Sequence, residues 1–198
     1  MISPVGEPGC GKSTFSLWLC QALKLHGIQT EFVPEVIKYE SYDHAAMTRV
    51  ASGTIDHRLL RRQQHLIKPL AGKVEVVVND GPLEPFLYYA KGRVAPGPLR
   101  SFRELLGVYR KQLGECEHRF VAPVRKHAYE MVGRRQGEAE AGFMRNDLLN
   151  DLQAEFGIVP TLLTCAEERQ SYLNALVGEV LTRRRLLGVN RRFSACGP

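Results

Sequence analysis

Five short segments rich in apolar and β-branched residues alternate along the chain with longer stretches whose apolar positions recur every three or four residues. The first pattern predicts strands at 1–5, 28–34, 73–79, 118–124 and 159–165, of which 73–79 (KVEVVVN) is the plainest. The second predicts a helix over 12–25, where Phe15, Leu19, Ala22 and Leu23 recur at helical spacing and Gly27 supplies a stop. Residues 36–49 read as a helix, or a loop and a helix, broken by Ser52-Gly53-Thr54. Asp56 can cap the next helix, in which Leu59, Leu60, Leu66 and Ile67 alternate with arginines and glutamines up to Gly72. A short helix is predicted at 83–90, a Gly- and Pro-rich loop at 91–98 and a helix at 99–113. Residues 132–137 (VGRRQG) read as a loop. The longest helix, 138–156, carries Met144, Leu148, Leu152 and Phe156 four apart as a buried stripe, and a last helix covers 167–185.

Strands alternating with helices predict a three-layer α/β fold, with about five parallel strands and helices on both faces. Pro4 conflicts with this scheme. It lies in a strand that should be central, where a missing N–H costs a ladder bond. Pro123 should mark the end of its own strand.

The 198 residues fit one domain with a small lid and suffice for a sizeable core. A composition of 44% hydrophobic and 24% charged residues is ordinary for a soluble globular protein. No apolar run approaches the roughly 20 residues that span a bilayer. No basic region followed by an apolar core stands at the N-terminus, so a cytoplasmic protein without membrane contact is expected. Five scattered cysteines (Cys10, Cys20, Cys116, Cys165, Cys196) form no C-x-x-C pair and are expected as free thiols, not a zinc site. The net charge is +6, and beyond Glu179 the chain holds Arg183, Arg184, Arg185, Arg191 and Arg192 but no acid. Residues 183–198 are therefore expected to form a basic tail beyond a main domain at 1–182. Such a tail either contacts nucleic acid or is a solvated helix end.

Candidate chemistry begins at Gly6-Glu7-Pro8-Gly9-Cys10-Gly11-Lys12-Ser13-Thr14, which fills every fixed position of the phosphate-loop pattern G-x-x-x-x-G-K-[ST]. Glycines let successive N–H groups turn inward around phosphate oxygens, and the following helix adds its unsatisfied N-terminal donors. Lys12 can reach the β- and γ-phosphates, and the Ser13 hydroxyl can ligate Mg²⁺. A predicted strand before the loop and a helix after it supply the context the motif requires, so a nucleoside triphosphate is the expected ligand.

The loop alone names no reaction. The chain has no N-K-x-D guanine-specificity motif, no L-S-G-G-Q-like stretch and no extra helical domain of the ring-forming ATPases. It does place Glu35 and Asp80 at the ends of predicted strands, on the sheet rim where ligands bind in parallel α/β folds. Phosphoryl transfer needs a metal-bound triphosphate, a carboxylate near the acceptor hydroxyl, and cations for the transferred group. Asp80 can hold Mg²⁺ through water, and either Glu35 or Asp80 can deprotonate or orient the acceptor. Arg134 and Arg135, between Gly133 and Gly137, suit a lid over about 125–141 that closes on the phosphates. Gln63 and Gln64 either hydrogen-bond an acceptor base or are surface positions. Tyr39, Tyr42, Phe86, Tyr88 and Tyr89 either stack on a base or belong to the core.

The succession GEPGCGKST, VPE at 33–35, VVVNDGP at 76–82 and VGRRQGEAEA at 132–141 resembles small P-loop kinases. It is similar to the kinase domain of the ribosylnicotinamide kinase family and to nucleotide kinase-like ATPases of bacteriophages, over most of residues 1–165. Val33-Pro34-Glu35 also resembles the deoxynucleoside kinase pattern, whose strand-end Glu is the general base. The resemblance implies a P-loop NTPase fold of nucleoside/nucleotide-kinase type, ATP and Mg²⁺ as co-substrates, and a lid around Arg134 and Arg135. Some phage relatives phosphorylate the hydroxymethyl group of a modified pyrimidine in DNA, such as 5-hydroxymethyluracil. If the chain is of that phage type, it works in the host cytoplasm, and the tail contacts DNA. Asp80-Gly81-Pro82 stands where a deoxynucleoside kinase has Glu-Arg-Ser, so that family's substrate does not transfer. The acceptor is thus a nucleoside, a nucleotide or a DNA base. The alternative is a nucleotide-dependent DNA-binding ATPase or switch, and the oligomeric state stays open.

Overall fold

In the computed structural model of the protein, the five strands are β1 (Ile2–Pro4), β2 (Thr30–Val33), β3 (Val76–Asn79), β4 (Arg119–Pro123) and β5 (Thr161–Leu163). They form one parallel sheet in the order β2-β3-β1-β4-β5. The structure describes residues 1–7, 9–36, 38, 55–91, 96–113, 116–123 and 138–187. Six α-helices accompany the strands among these residues: α1 (Lys12–Leu25), α2 (Ile55–Ile67), α3 (Glu84–Ala90), α4 (Pro96–Gln112), α5 (Glu138–Phe156) and α6 (Ala166–Leu186).

The two-residue alternation of a strand buried on both faces sorts the core into layers. Ile2, Val76, Val78, Val121 and Leu163 pack with Phe15, Leu19 and Leu23 of α1 and Leu173, Leu176 and Val177 of α6. On the opposite face, Val33 and Val77 meet Leu59, Leu60 and Ile67 of α2, Phe86 and Leu87 of α3, and Phe102 and Leu106 of α4. Phe120 and Ala122 meet Leu148 and Leu152 of α5. The four-residue spacing on α5 thus buries both leucines, each worth about 1.5–3 kcal/mol of transfer free energy. Phe86 is core, and Tyr88 packs beside the Leu148–Leu152 cluster. Among the described residues, no helix is long and apolar enough to cross a membrane.

Pro4 sits in the central strand without disrupting it. The Val5 amide donates to Val121 O at 2.7 Å, and successive amides of a strand point to opposite sides. The nitrogen of Pro4 therefore faces β3, where the ladder consists of the single pair Ile2↔Val78 and has already ended. The missing donor spares the β4 ladder and falls on the side where pairing with β3 stops after one residue pair.

One expectation needs correction. Residues 96–98 (Pro-Gly-Pro) open α4 and are not loop; proline is tolerated in the first turn, where the missing N–H would have had no intrahelical partner. Arg183, Arg184 and Arg185, expected both as the end of the last helix and as the start of a basic tail, form the last turn of α6. Arg184 pairs with Glu75 and also donates to Gly27 O at 2.6 Å, while Arg183 pairs with Glu117. Opposite charges on the amino edge of the sheet draw the helix end down onto it. Arg191 and Arg192 lie outside the described residues.

Between sheet and helices on the α2–α5 face lie two groups that rarely share an apolar layer. Glu84, at the start of α3, is 1% exposed, and its Oε1 lies 4.0 Å from His118 Nδ1. Burial raises the Glu84 carboxyl to about 7, against weaker lowering by its own amide, Arg110 and the Leu83 amide. Burial likewise lowers His118 to about 3, with smaller help from the N-terminal amine and Arg110. Near neutrality His118 is uncharged and Glu84 is about half protonated, so the contact is not an ion pair. The folded state holds the Glu84 proton to higher pH than the unfolded chain does, so this stability is lost as pH rises from about 4.5 to about 7. His118 acts oppositely, its contribution being lost as pH falls from 6.5 towards 3. We expect Glu84→Gln to remove the first term alone. In urea unfolding at pH 4.5 and pH 8, stability of the variant relative to the parent should rise by on the order of 3 kcal/mol towards the higher pH. A pH-independent difference would show that Glu84 is ionised in the fold.

Candidate functional site

Neighbouring strands β1 and β3 leave the sheet in opposite directions, β1 into α1 on one face and β3 into α3 on the other. Such a divergence opens a crevice beyond the carboxyl ends of the strands. The glycine-rich loop that follows β1 lies there. Gly6, Gly9 and Gly11 have φ of 146°, 80° and 95°, in the half of backbone space that side chains disfavour. A Cβ on Gly6 would also stand 2.9 Å from Sγ of buried Cys10. Gly11 is the N-cap of α1, its carbonyl accepting from Phe15 N at 2.9 Å. Half-buried Lys12 folds back over the loop, its Nζ donating to Gly6 O at 3.1 Å and Glu7 O at 3.0 Å. The loop thus presents a helix N-terminus and an ammonium group to the crevice. Ser13 is half-buried, and Thr14 is exposed.

Asp80 follows β3 directly and is 2% exposed. Its amide donates to Val33 O at 2.9 Å, continuing the β2–β3 ladder, and its Oδ1 accepts from Ser16 Oγ at 3.0 Å. Ser16 lies three residues beyond Ser13, on the same side of α1. Glu35, two residues after β2, is half-buried, and its carbonyl accepts from Lys38 N at 3.2 Å. The turn so formed carries Lys38 back towards the loop, where its Nζ lies 3.4 Å from Ser13 Oγ. Gly81 explains how the two strand ends come together: a Cβ there would be 2.9 Å from Glu35 Cα. Lys12, Ser13, Glu35 and Asp80 therefore gather at one rim, joined by Lys38 and Ser16.

The rim is held from within by Gln63 of α2, which is 0% exposed. Its Oε1 accepts from Val36 N at 3.0 Å, and its Nε2 donates to Pro34 O and to Asn79 Oδ1, both at 3.0 Å. One amide therefore brackets Glu35 on both sides and ties it to the residue before Asp80. Asn79 Oδ1 also accepts from Gly81 N at 3.3 Å, and Asn79 Nδ2 donates to Ser3 Oγ at 3.4 Å. Ser3 Oγ lies 2.8 Å from His118 Nε2. A polar seam thus crosses the apolar layer from the rim to the start of β4.

Gln63 is thereby turned to the backbone and not to an acceptor base, because the strand ends need its donors and acceptor. Gln64, the next residue, is half-buried. Arg134, Arg135, Tyr39 and Tyr42 lie outside the described residues, and of the span 125–141 only residues 138–141 are described, as the start of α5. Sequence reasoning missed Ser16, Lys38, Asn79 and His118. The signals were slight: a serine one helical turn past Ser13, and a lysine three residues past the strand-end Glu. No cluster of three or more His, Cys, Asp or Glu suited to a metal occurs among the described residues. Ser13 and Asp80 are nonetheless a fitting oxygen pair for Mg²⁺, which takes one or two protein ligands and completes its shell with water and substrate phosphates. Compared with known proteins, the chain matches no family model, and no curated protein matches it.

The seam gives a direct contrast between the two adjacent glutamines. Gln63→Leu leaves the buried groups at Pro34, Val36 and Asn79 without their partner and should lower stability by about 2 kcal/mol or more. Gln64→Leu should stay within about 0.5 kcal/mol of the parent. Urea denaturation of both variants measures the difference, and similar values would remove Gln63 from its structural role.

Proposed function

We propose that the protein is a P-loop kinase that transfers the γ-phosphate of ATP to a hydroxyl of a nucleoside, a nucleotide or a modified pyrimidine. The observation that carries this reading is the convergence of the loop ending in Lys12 and Ser13 with two strand-end carboxylates on one rim. The glycine conformations and the start of α1 suit a polyphosphate cradled by amides. Lys12, once drawn from the loop carbonyls, can reach the β- and γ-phosphates. Mg²⁺ held by Ser13 and Asp80 would neutralise charge between the same phosphates. Asp80, fixed by Ser16 and the β2 ladder, is set for that role, which leaves the more open Glu35 as the carboxylate that accepts or orients the acceptor proton. Arg134 and Arg135 are proposed to close over the transferred group. An acceptor already in DNA would draw on the positive balance of the chain, although Arg183 and Arg184 are engaged in ion pairs.

The test uses labelled ATP with nucleosides, monophosphates, and DNAs carrying normal or hydroxymethylated pyrimidines. Label should pass to one acceptor class. Release of free phosphate alone, faster with DNA, would replace this reading by a DNA-dependent ATPase or switch. Lys12→Ala should reduce transfer by at least about a hundredfold while the ligand-free protein unfolds at the parent temperature. MgATP should raise that temperature for the parent and not for the variant. Glu35→Gln should lower turnover by about a hundredfold or more with ATP affinity little changed. Equal losses of turnover and affinity would make Glu35 structural.

A further inference from the structure

Lys38 has no place in the loop pattern, yet the fold delivers its ammonium to the hydroxyl that ends that pattern. The delivery is built. The Lys38 amide closes a turn on Glu35 O, the Gln63 amide fixes the backbone at Pro34 and Val36, and Gly81 lets β2 and β3 end side by side. From the turn that follows the edge strand β2, two strands away from β1, its Nζ comes within 3.4 Å of Ser13 Oγ on α1. It is half-buried along this path.

We propose that Lys38 is a second cation of the nucleotide site, one that binds the γ-phosphate. This rests on the nucleotide reading above and deepens it. Two geometric facts select the γ-phosphate. Lys12 and the loop lie on the β1 side, whereas Lys38 arrives from the β2 side together with Glu35, the proposed acceptor side of the rim. Ser13 marks where a bridging metal would meet the β- and γ-phosphates, so a cation beside that hydroxyl on the acceptor side faces the terminal group. An ammonium on a flexible four-carbon stem has the donors and the reach to swing from Ser13 Oγ to a phosphate oxygen. Sensing the γ-phosphate from the acceptor side would let the protein distinguish ATP from its own product ADP.

The experiment measures dissociation constants for ATP and ADP, each with Mg²⁺, on the parent, Lys38→Met, Lys38→Arg and Lys12→Ala, with thermal unfolding of each ligand-free protein as the folding control. Lys38→Met should weaken ATP by about tenfold to a hundredfold and ADP by less than about threefold, the loss of one charge-assisted hydrogen bond to the terminal phosphate. Lys38→Arg should recover most of the ATP affinity, and Lys12→Ala should weaken both nucleotides. Equal weakening of ATP and ADP by Lys38→Met, or no change, overturns the proposal. Tighter ATP binding also overturns it, because Lys38 would then be a plug that competes with the metal. If the parent binds neither nucleotide, the nucleotide reading falls as well. If the ATP preference disappears with Lys38 but no acceptor is ever phosphorylated, Lys38 keeps its role and only the kinase assignment is lost.

Discussion

The carboxyl edge of a parallel sheet is where backbone hydrogen bonding runs out, and in this protein a single buried side-chain amide takes over from the ladder. Past Val33 and Asn79 the strands stop pairing, and the groups at Pro34, Val36 and Gly81 need partners in a layer that offers mostly hydrocarbon. Gln63 serves Pro34 and Val36 directly and reaches Gly81 through Asn79. Because the same bonds bracket Glu35 and adjoin Asp80, satisfying the buried backbone and positioning the two carboxylates are one event. Gly81 completes it, since any side chain there would push Glu35 away.

Much of this architecture could be read from local periodicity. Apolar recurrence locates α1 and α5 because a helix face is written within a dozen consecutive residues, and the strands show as short apolar runs. The loop at 6–14 was legible because its glycines answer to local backbone conformation. The bonds that assemble the rim were not legible. Gln63 meets residues 16 to 29 positions away, and Ser16 meets Asp80 across 64. A glutamine beside another glutamine on a polar helix carries no mark of which one turns inward. Ser3, Asn79 and His118 likewise look like weak points in their strands until the fold aligns them. The partners of Arg183 and Arg184 were hidden for the converse reason, since charge counted along the chain is blind to the acids that folding brings beside it.

Those acids divide the electrostatics of the molecule. At the amino edge, Arg119, Arg183 and Arg184 are matched by Glu117, Glu179 and Glu75, and the Glu117 carboxyl is held below its usual range chiefly by hydrogen bonds from Arg183 and Arg119. At the carboxyl edge, Lys12 donates to the carbonyls of Gly6 and Glu7, and Lys38 reaches the Ser13 hydroxyl. The net charge of +6 is therefore no measure of the field at either edge. Arginine at one edge staples α6 to the sheet, while at the other two lysines from different strand ends converge on the glycine-rich loop and its serine.

The seam beneath the rim also has a direction. Gln63 Nε2 donates to Asn79, Asn79 Nδ2 donates to Ser3 Oγ, and Ser3 Oγ meets His118 Nε2 in a hydrogen bond whose sense follows the imidazole tautomer. From Gln63 to Ser3 each member hands its hydrogen the same way, as in a line of one-way valves. A proton added at His118 would make Nε2 a donor, so that Ser3 Oγ would accept from both sides and its own hydrogen would point away from both. The line therefore runs one way from the rim as far as Ser3, and the imidazole at its far end decides where the last hydrogen lies.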